Sequence, residues 1–284
     1  MDREFPVDSE LEQGYNLSLS RPDFQTLLKE WALRSEEFRT RADSRLDCAY
    51  DQGARDRIDL FRCGNSNAPL LVFIHGGYWQ RGDKNWFSFI AEAFVESGVD
   101  LALIGYQLCP HTSMGSIANQ IRKALVWLWR NASSLGISTE RFNLCGHSAG
   151  GQLTAMMLAT EWGRVAADVP DLLVKTGIPI SGLYQLEPLR YTTINDALGM
   201  DATSAHENSP HFLQPSTAAP ILVTLGGAET SQFHWQKDKF VEQWGSYGTT
   251  IETCIEPGVD HYDVINRLTE SDSDIFVKIR NWLQ

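Results

Sequence analysis

The chain predicts an α/β protein: a mostly parallel central sheet with helices on both faces and a small lid segment. Three observations carry that expectation. From about residue 57 onward, short apolar segments alternate with helical ones of ten or more residues, the rhythm of a parallel sheet covered on both sides. Leu70–Ile74 and Leu101–Ile104 are uninterrupted apolar runs, as expected of strands buried on both faces. Gly146-His147-Ser148-Ala149-Gly150 is a G-x-S-x-G sequence between a strand candidate and a helix candidate. In that setting a sharp turn lifts a serine hydroxyl above the sheet.

Taken in order, residues 1–20 are expected to form a loose arm. Arg21–Thr40 sets Phe24, Leu27, Leu28, Trp31 and Phe38 among charges, with Pro22 near the first turn, and predicts an amphipathic helix. Arg57–Phe61 alternates and predicts a strand. After the strand at 70–74, Phe87–Ser97 predicts a helix and 101–104 the next strand. Ile117–Arg130 predicts a helix, Arg141–Cys145 a strand leading into the glycine-flanked turn, and Gln152–Thr160 the helix beyond it. Two further strands are expected at Thr176–Ile180 and Ile221–Leu225, then a helix at Gln232–Trp244, a strand at Thr249–Ile255 and a closing helix at Ile275–Leu283. Between Ser181 and Pro215 the rhythm lapses into a polar stretch containing Pro and Tyr, read as a lid over the site. No internal repeat or low-complexity tract interrupts this order, so residues 21–284 are expected as a single domain.

Composition narrows the classes of function. The 284 residues are 43% hydrophobic and 21% charged, ordinary for a globular enzyme with a sizeable core. A net charge of −12 argues against a nucleic-acid or anionic-membrane role, since both need clustered Lys and Arg. The five cysteines (48, 63, 109, 145 and 254) are widely spaced without a C-x-x-C, which suggests reduced thiols and no zinc knuckle. Residues 1–6 contain no apolar signal core and no run approaches 18 apolar residues, so a cytoplasmic protein is expected. Nothing marks an oligomeric interface.

A serine hydroxyl is a poor nucleophile until a base takes its proton, so Ser148 requires a histidine held by a carboxylate. In this architecture the partners follow in the order Ser, acid, His. His261, in Val259-Asp260-His261-Tyr262, stands beyond the strand at 249–255 and before a helix, in a loop able to hang over Ser148. The acid is expected on the loop after strand 221–225, where Gly226-Gly227-Ala228-Glu229-Thr230 offers Glu229. Asp260 would point away from the ring and Asp238 falls within the next helix, so both are assigned to structure or surface. The oxyanion formed on attack needs preorganised donors. The backbone N–H of Ala149 is one candidate. The loop His75-Gly76-Gly77-Tyr78-Trp79 offers Gly77 and Tyr78, with Gly76 as a further one, because paired glycines let amides turn inward. His75 is expected to buttress that loop. Aromatic residues on loops expected near the site, Tyr78, Trp79, Trp86, Tyr184, Tyr191, Phe233 and Trp235, suggest an aryl pocket, and His234 is a candidate substrate contact.

These residues resemble a known family. His75-Gly76-Gly77-Tyr78-Trp79 is similar to the HGGxW motif of the kynurenine formamidases (arylformamidases), serine-dependent enzymes of α/β-hydrolase fold. The likeness extends through Gly146–Gly150 with Met156-Met157-Leu158, Ser181-Gly182, Leu186-Glu187-Pro188, Asn208-Ser209-Pro210, Phe233-His234 and Val259-Asp260-His261, in consistent order from about residue 20 to 280. It implies hydrolysis of N-formyl-L-kynurenine to kynurenine and formate without metal or cofactor, with Ser148 as nucleophile, His261 as base and the acid at Glu229. The family usually has aspartate at that last position, so Glu229 is a departure.

An aryl formamidase acting through an acyl-enzyme on a small aromatic substrate is therefore the first expectation. The alternative is a short-chain aryl carboxylesterase or carbamate hydrolase of the same fold. A catalytically dead member serving as a ligand receptor would be expected to have lost its nucleophile or base, and Ser148 and His261 are both present.

Overall fold

The computed structural model describes residues 5–283. One eight-stranded sheet organises them: β1 (Ser44–Ala49), β2 (Arg57–Phe61), β3 (Leu70–Ile74), β4 (Asp100–Ile104), β5 (Phe142–His147), β6 (Thr176–Ile180), β7 (Ile221–Gly226) and β8 (Ile251–Glu256). The order across the sheet is β1-β2-β4-β3-β5-β6-β7-β8. β1, β2 and β4 pair antiparallel, and every pairing from β4 through β3 to β8 is parallel. This is the α/β-hydrolase fold. β1, an exposed edge strand, is absent from the sequence expectation: Ser44–Ala49 is too polar to read as a strand and forms by pairing on β2.

The helices are α1 (Ser9–Tyr15), α2 (Phe24–Arg41), α3 (Ala91–Glu96), α4 (Met114–Leu135), α5 (Ala149–Leu158), α6 (Trp162–Val165), α7 (Asn195–Leu198), α8 (Ala202–Glu207), α9 (Ser231–Gly245), α10 (Asp263–Arg267) and α11 (Asp274–Leu283). They cover both faces, and β3 shows how. Leu70, Val72 and Ile74 enter the core built with α4, α5 and α9, while Leu71 and Phe73 enter the core built with α2, α3 and α11. Alternate side chains of a strand point to opposite faces, so only a wholly apolar run can serve both cores. The helix expected at 87–97 is partly replaced by 3-10 turns at Lys84–Trp86 and Ser88–Ile90 before α3. There Lys84 turns inward to the buried carboxylate of Asp59, at 2.8 Å.

Two expectations need correction. Residues 1–20 do not form a loose arm where the structure describes them; residues 1–4 lie outside the described residues. Asp8 caps α1 through Oδ1, and Tyr15 is buried, its hydroxyl accepting from Gln236 Nε2 at 3.0 Å. A seven-residue helix has little stability of its own and is held by such packing. Nor does Ser181–Pro215 form a lid over the cavity. Most of its apolar residues sink into the core, with the Tyr184 ring stacked 4.0 Å from Phe240 of α9. The cover is α2, which turns Phe24, Leu28 and Trp31 toward the C-terminal edge of the sheet.

Candidate active site

Order across the sheet reverses around β3, placing the loops that follow β3 and β5 side by side. Ligands of open α/β sheets bind at such an edge. β5 ends at His147, and Ser148 follows at φ 57° and ψ −117° before α5 begins. Few L-residues adopt that region, which costs roughly 1–3 kcal/mol and persists only where the surroundings impose it. Here the Ser148 N–H donates to the Ile180 carbonyl at 2.8 Å. Gly150 packs so closely under β3 that a Cβ would stand 2.0 Å from the Ile74 carbonyl oxygen. The first N–H groups of α5, including that of Ala149, have no acceptor within their own helix.

The loop after β3 leans on this turn. A Cβ on Gly76 would lie 3.0 Å from the Ser148 Cβ. Gly77, Tyr78 and Trp79 follow with φ of 117°, 51° and 55°. The backbone N–H groups of Gly77 and Tyr78 have no protein acceptor among the described residues. Around them the loop is tied at many points: the Tyr78 hydroxyl donates to the Tyr15 carbonyl, and Trp79 Nε1 donates to Gln152 Oε1 at 3.1 Å. His75, stacked 4.3 Å from Tyr106, donates from Nδ1 to the Gly76 carbonyl at 2.7 Å. Burial pushes its pKa down to about 4, so at neutral pH it is an uncharged buttress.

The third loop, after β8, carries His261. Its Nδ1 lies 2.7 Å from Glu229 Oε2, and the ring packs 4.4 Å from Phe233. The other carboxylate oxygen, Oε1, accepts the Gly226 N–H at 2.8 Å and the Ser181 hydroxyl. His147 sits 4.6 Å from the His261 ring and donates from Nε2 to the His261 carbonyl at 2.8 Å. Burial first, then the neighbouring imidazole of His261, holds His147 far below the ordinary histidine range. It is therefore neutral.

Ser148, His147 and His261 line one cavity with Gly76, Gly77 and Tyr78. Phe24, Leu28, Trp31, Trp86, Phe87 and Tyr262 wall it, and Arg81 and Gly82 complete the lining. Its interior leaves about 50 Å³ open to water. A serine on a strained turn, an imidazole fixed by a carboxylate and backbone N–H groups without a protein acceptor among the described residues together suit acyl transfer. Among the described residues no cluster of three or more His, Cys, Asp or Glu could hold a metal ion.

Of the residues singled out in the sequence, Ser148, His261, Gly76, Gly77 and Tyr78 meet at the cavity. Ala149 adjoins it on α5, and Glu229 stands behind His261. Trp79, Tyr184, Tyr191 and His234 do not line it. Trp79 and Tyr184 are spent on the core, and the Tyr191 ring packs 5.0 Å from Phe5. His234 loses its place to Phe233, because adjacent helix residues point about 100° apart and Phe233 takes the face toward His261. Asp260 and Asp238 are ion-paired away from the ring, with Arg21 at 2.7 Å and with Lys237. His147, Ser181, Arg81, Tyr262 and the α2 side chains were not legible as site residues. Phe24, Leu28 and Trp31 at i, i+4 and i+7 mark a helix face without saying what it covers.

The family model described as BD-FAE matches residues 58–173. A kynurenine formamidase from Salmo salar is 30% identical over 257 residues, covering 87% of this chain and 83% of that protein. A solved structure described as that of a candidate thioesterase, from Silicibacter sp. tm1040, is 32% identical with a TM-score of 0.82, covering 95% and 98% of the two chains. Esterase B of Lactobacillus rhamnosis shares the fold at 17% identity, with a TM-score of 0.70 over 93% and 96%. The chain is a formamidase- or esterase-type hydrolase, and it belongs to the kynurenine formamidase family of the α/β-hydrolase fold.

Proposed function

We propose that the protein hydrolyses an aryl formamide, N-formyl-L-kynurenine in the first place, through an acyl-enzyme on Ser148. The observation that carries this reading is His261, fixed by Glu229, in a cavity shared with Ser148 and walled by aromatic rings. His261 takes the hydroxyl proton as Ser148 attacks the formyl carbon. The N–H groups of Gly77, Tyr78 and Ala149 receive the developing oxyanion. His261 then passes its proton to the departing arylamine, and water, deprotonated in turn by His261, releases formate. Glu229 keeps the imidazole in the Nδ1–H tautomer and stabilises its charged form. The flat aromatic walls suit an aryl leaving group.

The test is steady-state kinetics on N-formylkynurenine and p-nitrophenyl acetate, with wild type and Ser148→Ala. Wild type is expected to give the higher kcat/KM on the formamide, and Ser148→Ala to lose ~10⁴-fold or more in kcat. A Ser148→Ala enzyme within about tenfold of wild type would remove the nucleophile assignment. Cleavage of short aryl esters without cleavage of the formamide would leave the short-chain esterase reading in its place.

A further inference from the structure

Arg81 lines the cavity that holds Ser148 and His261, and its stem runs beside the oxyanion loop. Its N–H donates to the Gly77 carbonyl at 3.0 Å, and its Cγ lies 3.2 Å from where a Cβ on Gly77 would stand. The half-buried guanidinium makes no ion pair and no side-chain hydrogen bond among the described residues. It faces the Phe24 ring, with Cζ 5.8 Å from the centroid.

Lys29, Arg45, Lys175 and Arg280 likewise make no ion pair or side-chain hydrogen bond among the described residues, but of these five cations Arg81 is the one that lines the cavity. Arg21, which borders the same edge, is saturated by Asp260 at 2.7 Å, Asp263 at 3.0 Å and Asp23 at 3.1 Å. Three carboxylates beside lining residues are committed, Glu229 to His261, Asp260 next to His261 in the chain to Arg21, and Asp83 next to Gly82 to Arg55 at 3.0 Å. A guanidinium offers five donors in a fork that matches a carboxylate, and it binds more strongly where aromatic walls exclude water.

We propose that Arg81 selects substrates whose aryl leaving group carries a carboxylate, binding that anion while the acyl group faces Ser148. The assignment rests on reading Ser148 as the nucleophile. It assigns a side chain of this protein to the carboxylate that the leaving group of N-formyl-L-kynurenine carries. Salt should weaken the preference, since Arg81 is only partly buried.

The experiment uses a matched pair, 3-(2-acetoxyphenyl)propionate and its neutral carboxamide. Wild type should prefer the carboxylate. Arg81→Gln should cut the carboxylate-to-carboxamide ratio of kcat/KM by about 10–100-fold, mostly through KM, as expected for loss of a hydrogen bond to a charged group. Arg81→Lys should restore part of it, a point charge without the fork. An unchanged ratio in Arg81→Gln overturns the proposal. Calorimetric binding of the product 3-(2-hydroxyphenyl)propionate to Ser148→Ala, with and without Arg81→Gln, provides a readout free of turnover. If neither ester is cleaved yet product binding weakens with Arg81→Gln, the Ser148 reading falls and Arg81 stands. Binding that is absent, or indifferent to Arg81, removes the Arg81 assignment alone.

Discussion

The Ser181 hydroxyl donates to Glu229 Oε1, leaving Oε2 to face His261 at 2.7 Å. Ser181 holds this position at φ 51°, its N–H tied to the Thr224 carbonyl at 2.7 Å. The carboxylate is thus gripped from β6 and from its own loop, and a glutamate, one methylene longer than aspartate, is held at a fixed reach. Ser181→Ala should lower kcat by about tenfold with KM little changed, since one hydrogen bond to a charged group is lost. Glu229→Gln should cost ~10²–10⁴ in kcat by misorienting the imidazole. If Glu229→Gln resembles wild type while Asp260→Asn is crippled, Glu229 is not the acid.

Acyl-chain profiling tests the cavity. With bulky rings crowding the cavity that holds Ser148, formyl and acetyl esters should be cleaved faster than butyryl and longer ones on one aryl leaving group. Each methylene that does not fit should cost about 1–3 kcal/mol, or ~10–200-fold in kcat/KM. Leu28→Ala, which shortens a wall contributed by α2, should flatten the profile. A rise from acetyl to hexanoyl in wild type would exclude the small acyl pocket.

Asp59 on β2 is fully buried and takes Lys84 Nζ at 2.8 Å and Arg39 of α2 on its two oxygens. Lys84 also meets Asp47 at 2.6 Å. This cluster fastens α2, the cover of the cavity, to the sheet. Asp59→Ala would leave two cations without their buried partner and should cost about 3–5 kcal/mol in urea unfolding. A loss below about 1 kcal/mol would mean that solvent or neighbouring groups replace Asp59 easily.

His75 ties stability to pH. Its folded pKa of about 4 lies below the ordinary 6.5, so between those values the unfolded chain binds a proton that the folded chain does not. Stability is fully present above pH 6.5 and falls as pH drops toward 4, by about 3 kcal/mol in all. His147 is depressed too and adds in the same direction. His75→Gln should therefore reduce the slope of unfolding free energy against pH in this window by up to about 1.4 kcal/mol per pH unit. Urea midpoints at several pH values measure it, and an unaltered slope would show that His75 does not titrate there.

Much of this was local and hence legible. β3 to β7 are apolar runs whose identity does not depend on what lies against them, and the turn at Ser148 needs only its glycines and the strand and helix on either side. His75-Gly76-Gly77-Tyr78 and His261 follow from their order along the chain. By itself, then, the sequence determined the parallel sheet, the turn that raises Ser148, and the chain order of Ser148, Glu229 and His261. Tertiary structure alone decided what closes the cavity. Periodicity marks the apolar face of α2 but not its partner, so Phe24, Leu28 and Trp31 cover the site while Tyr184, in the stretch expected as a lid, stacks on Phe240. Ser181 reaches Glu229 across 48 residues of chain, a pairing set by strand order rather than by spacing. Arg81 stands out because it lines the cavity while Asp260, Glu229 and Asp83 have other partners, and that depends on where the whole fold puts its charges.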